Sequence, residues 1–285
     1  MVGATLLALP AQAQLTFPGA APISSGNVIV RAQPELVGYS GDAQSVLQRD
    51  VLIYGASPNL ALIVQNNSLV ANTANVVTAG RTQRETALGL GDTLLEARYT
   101  VWQQDGVGST FRIAPYLGVS APTGMDNVNG AIGRAGQPGT GTWGSRDALT
   151  MSYQALTWNG GAEIGYQANG ADAGYRFGNT FYADAGIHYL LWPNNLEGAV
   201  PAELYASLEA NYTSTVASAT GASKVYGTGG QMLLVDPGLI YTRADYSISA
   251  VGFLPAFQSV RDNGTRFVFG AEMLLRLSFF TSYHW

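Results

Sequence analysis

The stretch GDTLLEARYTVW, residues 91–102, separates into two unlike sets when its residues are taken alternately. Thr93, Leu95, Ala97, Tyr99 and Val101 carry no charge, whereas the other set holds Asp92, Glu96 and Arg98 beside Leu94, Thr100 and Trp102. Successive side chains of a strand point to opposite faces, so this segment has one bare face and one charged face. A soluble protein would turn the bare face onto a core and the charges into water. The composition argues for the reverse.

Only 12% of the 285 residues are charged, while Gly numbers 35 and Tyr 15. Ordinary soluble domains carry roughly 25% charged residues, and a globule so short of charge has little to keep it dispersed. No run of about 18 apolar residues exists that could cross a bilayer as a helix. Low charge, abundant Gly and aromatics, and no spanning helix point to an all-β fold, a closed antiparallel transmembrane β-barrel. A net charge of −5 argues against nucleic acid as a partner, since that needs a basic surface. With no cysteine and only His188 and His284, neither a disulfide framework nor a transition-metal site is expected. No cofactor is expected either.

The N-terminus reads VGATLLALPAQAQ, a short apolar core followed by Ala11-Gln12-Ala13. That is the small-residue cleavage pattern of a signal peptide, here over residues 1–13 and without the positively charged stretch that opens such peptides. The Pro/Gly/Ser-rich residues 14–26 read as a flexible segment, and residues 27–285 as the barrel.

From residue 27 onward twelve strand-like runs follow one another: 27–37, 45–55, 60–68, 91–103, 109–120, 147–157, 161–168, 178–192, 202–214, 231–242, 246–256 and 265–280. Ten and fourteen are the neighbouring even counts. Most runs approach the 9–11 residues that a tilted strand needs to cross a bilayer. The gaps carry more information. Every second one is mostly short, as in ASPN (56–59), QDGVG (104–108), NGG (158–160), PNNLEGAVP (193–201) and RAD (243–245). The intervening ones are often long and polar, notably 69–90, 121–146 and 215–230. Tight periplasmic turns alternating with long external loops are the layout of a bacterial outer-membrane barrel.

Tryptophan placement agrees. Trp102, Trp158 and Trp192 each fall where a strand meets a short turn, and Trp285 ends the chain. With Tyr241, Phe279 and Phe280 they form a girdle at one membrane interface, where amphipathic rings belong. The uncharged face of residues 91–102 therefore looks at lipid and the charged face into the barrel. The last run, RFVFGAEMLLRLSFF, divides the same way. Phe267, Phe269, Ala271, Met273, Leu275, Leu277 and Phe279 face lipid, against Arg266, Glu272, Leu274, Arg276 and Ser278 inside. Parity puts Arg31, Asp50, Glu96, Arg98, Arg112, Tyr116, Glu163, Asp184, His188, Glu203, Glu209, Asp236, Arg266, Glu272 and Arg276 on the lumen wall as pore candidates.

Several segments resemble the outer-membrane proteins grouped as the "MetA-pathway of phenol degradation" transporters. The matching pieces are LIYGASPNLAL (52–62), GLGDTLLEARYTV (89–101), PYLGVSAPTG (115–124), GTGTWGSRD (139–147) and DPGLIYTRADYSISAVGFLP (236–255). They come in the family's order and span most of the mature chain. The resemblance implies an outer-membrane barrel associated with uptake of small, often aromatic, compounds, and it implies no catalytic residues.

Chemical motifs are few. GTGTWG (139–144) satisfies G-x-G-x-x-G, but a dinucleotide site needs that motif between a strand and a helix, and here it sits in a loop between strands. Asp184 and His188 share an inward face, yet neither histidine has a serine beside it on that face, so acid–base catalysis is not expected. The leading expectation is a non-enzymatic channel or transporter for small molecules, hydrophobic or aromatic ones included, with the 121–146 loop setting the constriction. Its partners are outer-membrane lipid and the small-molecule solute. An outer-membrane lipid hydrolase and a structural or adhesive barrel with partner-binding loops are the alternatives.

Overall fold

In a computed structural model of the chain, describing Ala20, residues 23–194 and residues 202–279, twelve antiparallel staves close into a barrel. They are β1 (Val28–Tyr39), β2 (Gln44–Gly55), β3 (Leu60–Thr78), β4 in three pieces (Arg81–Gly89, Thr93–Tyr99 and Trp102–Gly106), β5 (Ser109–Ala121), β6 (Gly144–Ala155), β7 (Trp158–Asn169), β8 (Thr180–Trp192), β9 (Glu203–Thr215), β10 (Gly230–Thr242), β11 (Tyr246–Val260) and β12 (Phe267–Phe279). Each pairs with the next, and β1 pairs with β12 from Val28↔Phe279 to Tyr39↔Phe267, which closes the barrel; the Trp102–Gly106 piece pairs on one side only, with β5. Closure pairs the ladder groups that hydrocarbon would otherwise leave unsatisfied at an open sheet edge.

The orientation of the faces is the one the opening stretch implies. Leu95 and Val101 are 49% and 56% exposed on the outside, while Glu96 and Arg98 are 8% and 4% exposed inside. On β12, Met273, Leu275, Leu277 and Phe279 are exposed, whereas Glu272 and Leu274 are buried. Phe267 departs from this pattern. A register shift beside Gly38/Tyr39 puts Val268 and Phe269 both outside and returns Phe267 to the interior. There its ring meets that of Tyr39 edge-on at 6.2 Å.

Two connections differ from the expected layout. Residues 69–90 are not a loop: β3 runs on to Thr78 and pairs with Arg81–Gly89 as a hairpin standing above the barrel. Its two-residue turn places Ala79 and Gly80 at φ of 51° and 77°, the left-handed pair that a tight hairpin turn requires. The turn expected at 158–160 lies at 156–157 instead, and Trp158 opens β7. Trp102, Trp158 and Trp192 still share one end of the barrel, all exposed, with Tyr241 and Phe279 at the same end. Phe280, His284 and Trp285 lie outside the described residues.

Candidate functional site

The lumen is built in levels, each set by which residues the strand pleat turns inward. At the outer end is a cavity of about 260 Å³. Its wall is rich in amides and hydroxyls, among them Gln65, Asn67, Asn72, Ser120, Gln167, Thr180 and Thr215, and Glu35 and Arg146 reach it from below.

The loop over residues 122–143 roofs this vestibule and is firmly tied down. Asp92 accepts hydrogen bonds from the backbone N–H of Thr140 (2.8 Å) and of Gly124 (2.9 Å). Arg134 bridges Asp126 (2.8 Å) and Asp172 (2.7 Å). That hydrogen bond holds the Asp126 carboxyl below the usual carboxylate range. Ile132 packs on Val76 and Ala87 of the raised hairpin. The GTGTWG segment is part of this roof, with Gly139 and Thr140 on the cavity wall; no helix follows it, so it lacks the context of a phosphate cradle.

Below the vestibule runs a belt of charge. On one side Arg49 is held between Glu35 (3.2 Å) and Glu272 (3.4 Å), and Gln33 donates to Glu272 at 3.2 Å. Across the lumen Arg146 is held between Glu96 (3.4 Å) and Glu163 (3.3 Å) and donates through Nε to the Tyr182 hydroxyl at 3.1 Å. Gly165 makes the latter contact possible, because a Cβ there would lie 2.3 Å from the Tyr182 ring. Arg98 stacks against Tyr116, 5.8 Å from the ring centroid. On the third side the groups are acidic. His188 lies 3.1 Å from Glu209, Asn211 hydrogen-bonds Asp236, and Asp184 faces Glu163 directly across the β7–β8 ladder. Arg49, Asp236 and Glu272 are each 1% exposed. A buried ion pair of this kind offsets its own desolvation only when its geometry and hydrogen bonding are good.

Below the belt, the β1–β5 side of the lumen is packed with apolar groups. Val51, Ile53, Ala61, Ile63 and Tyr116 form one cluster, against which Ile23 and Ile29 rest. Ile23 belongs to a piece of chain ahead of β1 that enters the barrel. Thr100 donates to the Ala20 carbonyl at 3.0 Å, and a Cβ on Gly55 would lie 2.3 Å from the Ser24 carbonyl oxygen.

Of the residues expected on the lumen wall, Arg31, Glu96, Arg98, Arg112, Tyr116, Glu163, Asp184, His188, Glu203, Glu209, Asp236, Glu272 and Arg276 share the inward face of their strands. Asp50 does not. Arg49, Val51 and Ile53 point inward on β2, so Asp50 lies on the lipid side, where Gln48 donates to it at 2.9 Å. Arg266 is also misplaced, because it precedes β12 in an exposed external connection. The expectation that His188 has no serine beside it is corrected as well. Ser207 on β9 faces it directly across the ladder, a neighbour that a reading along one strand cannot see. Two members of the belt do not follow from strand parity in the sequence. Arg49 lies beside Asp50 on a strand apolar on both faces, and Arg146 falls at the end of the stretch that reads as the 121–146 loop. Glu35 shares the parity of Arg31 and could have been read from it.

Among solved structures, the COG4313 outer membrane channel from Pseudomonas putida F1 superposes with a TM-score of 0.62 at 13% identity, covering 93% of this chain and all of that one. The toluene transporter TbuX of Ralstonia pickettii covers 92% of each chain at 12% identity, with a TM-score of 0.43. At these identities the likeness is one of fold, that of a Gram-negative outer-membrane barrel. A search of curated proteins finds no match. The family model described as the putative MetA-pathway of phenol degradation matches residues 37–253, a range that contains the belt apart from Gln33, Glu35 and Glu272. The chain belongs to that family.

Proposed function

We propose that the protein is a passive outer-membrane channel for small solutes, and that the charged belt, rather than the external loop, is its constriction. The observation that supports this most is the vertical order inside a closed barrel: a polar-walled vestibule of about 260 Å³, then side chains as little as 1% exposed. A structural barrel has no need of a vestibule walled by so many neutral hydrogen-bonding groups. Uptake of aromatic compounds is the finer reading. It is supported by the family's description and by the apolar sector around Tyr116. The inward carboxylates Glu35, Glu96, Glu163, Asp184, Glu203, Glu209, Asp236 and Glu272 outnumber Arg31, Arg49, Arg98, Arg112, Arg146 and Arg276. Walls of low dielectric focus that excess along the lumen, so neutral and cationic solutes pass better than anions of equal size.

The purified protein in liposomes tests the channel. Influx of solutes graded by size, above that of protein-free liposomes, supports it, and lipid-only rates for every solute reject it. Lipid hydrolysis by the same preparation would favour the enzymatic alternative. Ser207 lies opposite His188, but the hydrogen bond of His188 goes to Glu209.

A further inference from the structure

The belt is lopsided. Arg49 and Arg146 each bind two carboxylates, and these pairs use up Glu35, Glu272, Glu96 and Glu163. The belt carboxylates of β8, β9 and β10, namely Asp184, Glu209 and Asp236, have no arginine or lysine ion pair among the described residues. Glu209 and Asp236 are nevertheless directly opposite each other in the ladder, an arrangement of like charges that costs stability by itself. In this same arc Ser207 is 6% exposed and its Oγ has no hydrogen-bond partner among the described residues. Strand parity turns it to the face of Glu209, two residues away, and to the side of His188.

Side-chain bulk is missing beside the acids. The luminal positions beside them are glycines on three strands: Gly161 pairs with Gly186, Gly186 with Glu209's side of β9, and Gly238 with Ser207. These glycines are half-buried, whereas the β1–β5 wall below the belt is filled by the apolar cluster. No set of three His, Asp or Glu among the described residues converges closely enough for a metal ion.

Resting on the channel reading above, we propose that solutes cross the belt along the β7–β10 wall and that Asp184, Glu209, Asp236 and Ser207 form a station for a small organic ammonium group. An ammonium brings three donors and a positive charge to acceptors that have neutral partners at most. Charge-assisted bonds of this type are the stronger class.

Single-channel recording in planar bilayers tests this with ethanolammonium chloride and, as the anion of matching size, sodium glycolate. In symmetrical KCl, ethanolammonium is expected to reduce the potassium current in a saturable way, and glycolate is not. The isosteric variant Asp184→Asn/Glu209→Gln/Asp236→Asn, checked for folding by its heat-dependent gel shift, should raise the half-blocking concentration at least about tenfold. Asp50→Asn, on the lipid side, should leave it unchanged. Current without saturable block, or block that is the same in the triple variant, overturns the station while leaving the channel intact. Absence of any current from the folded protein overturns the channel reading and the station with it.

Discussion

Leu275 and Ser120 show how much a single position depends on which side of the wall it occupies. Leu275 is exposed on the lipid face of β12, and Ser120 lines the vestibule from β5. Leu275→Arg should therefore cost about 2–4 kcal/mol, as a basic residue does near the bilayer midplane. Ser120→Arg, in water, should stay within about 0.5 kcal/mol. Urea unfolding of both variants in lipid vesicles checks this, and equal costs would contradict the face assignment. Arg49 is the more severe case. Arg49→Met strands Glu35 and Glu272 in the belt and should cost about 3–5 kcal/mol, because an unpaired charge is left buried. Adding Glu35→Leu and Glu272→Leu should restore most of that loss, since a well-packed apolar cluster replaces an ion triad at little cost.

At the scale of elements, the roof of the vestibule offers a pH test. The Asp126 carboxyl lies below its ordinary value because Arg134 hydrogen-bonds it. A carboxyl lowered in the folded state stabilises that state at every pH above the unfolded value of about 3.9, and the contribution disappears as pH falls through the folded value. Hydrogen exchange of the Gly139–Thr142 amides, corrected for its intrinsic rate, should thus be flat between pH 5 and 8. It should rise below about pH 3. Asp126→Asn should remove the acid-side change.

The same elements show which parts of the fold could be read in advance. The Thr93–Tyr99 piece of β4, β5, and β12 from Gly270 onward alternate cleanly because one face meets lipid and the other charge, so their parity is legible. β2 was not, because Val51 and Ile53 inside are as apolar as Leu52 and Tyr54 outside. That ambiguity exchanged Asp50 for Arg49 and hid half the belt. Residues 69–90 read as a loop for a related reason. Beyond Thr73 their hairpin rises past its pairing with β2, and the few apolar residues it buries, Val70, Ala74, Val76 and Ala87, make too short a row to stand out among the Asn and Thr residues. Ser207 and His188 meet only through the β8–β9 register, which no single strand encodes.

For the whole molecule, closure of twelve strands joins β1 to β12 and leaves an interior whose chemistry changes with depth and from side to side. Amide and hydroxyl groups surround the vestibule, ion pairs fill the belt, and apolar side chains and the Ile23 segment occupy the β1–β5 sector beneath. The net acidity of the wall is a property of this arrangement and not of any one residue. Its field should steer small ions and weaken as salt screens it, over a Debye length of about 10 Å at 0.1 M. The reversal potential of the protein in a planar bilayer under a KCl gradient measures that field directly. A potential of the sign that marks cation preference, shrinking towards zero as the mean salt concentration rises, is the expected result. An anion-selective pore, or a folded barrel that carries no current, would contradict the account.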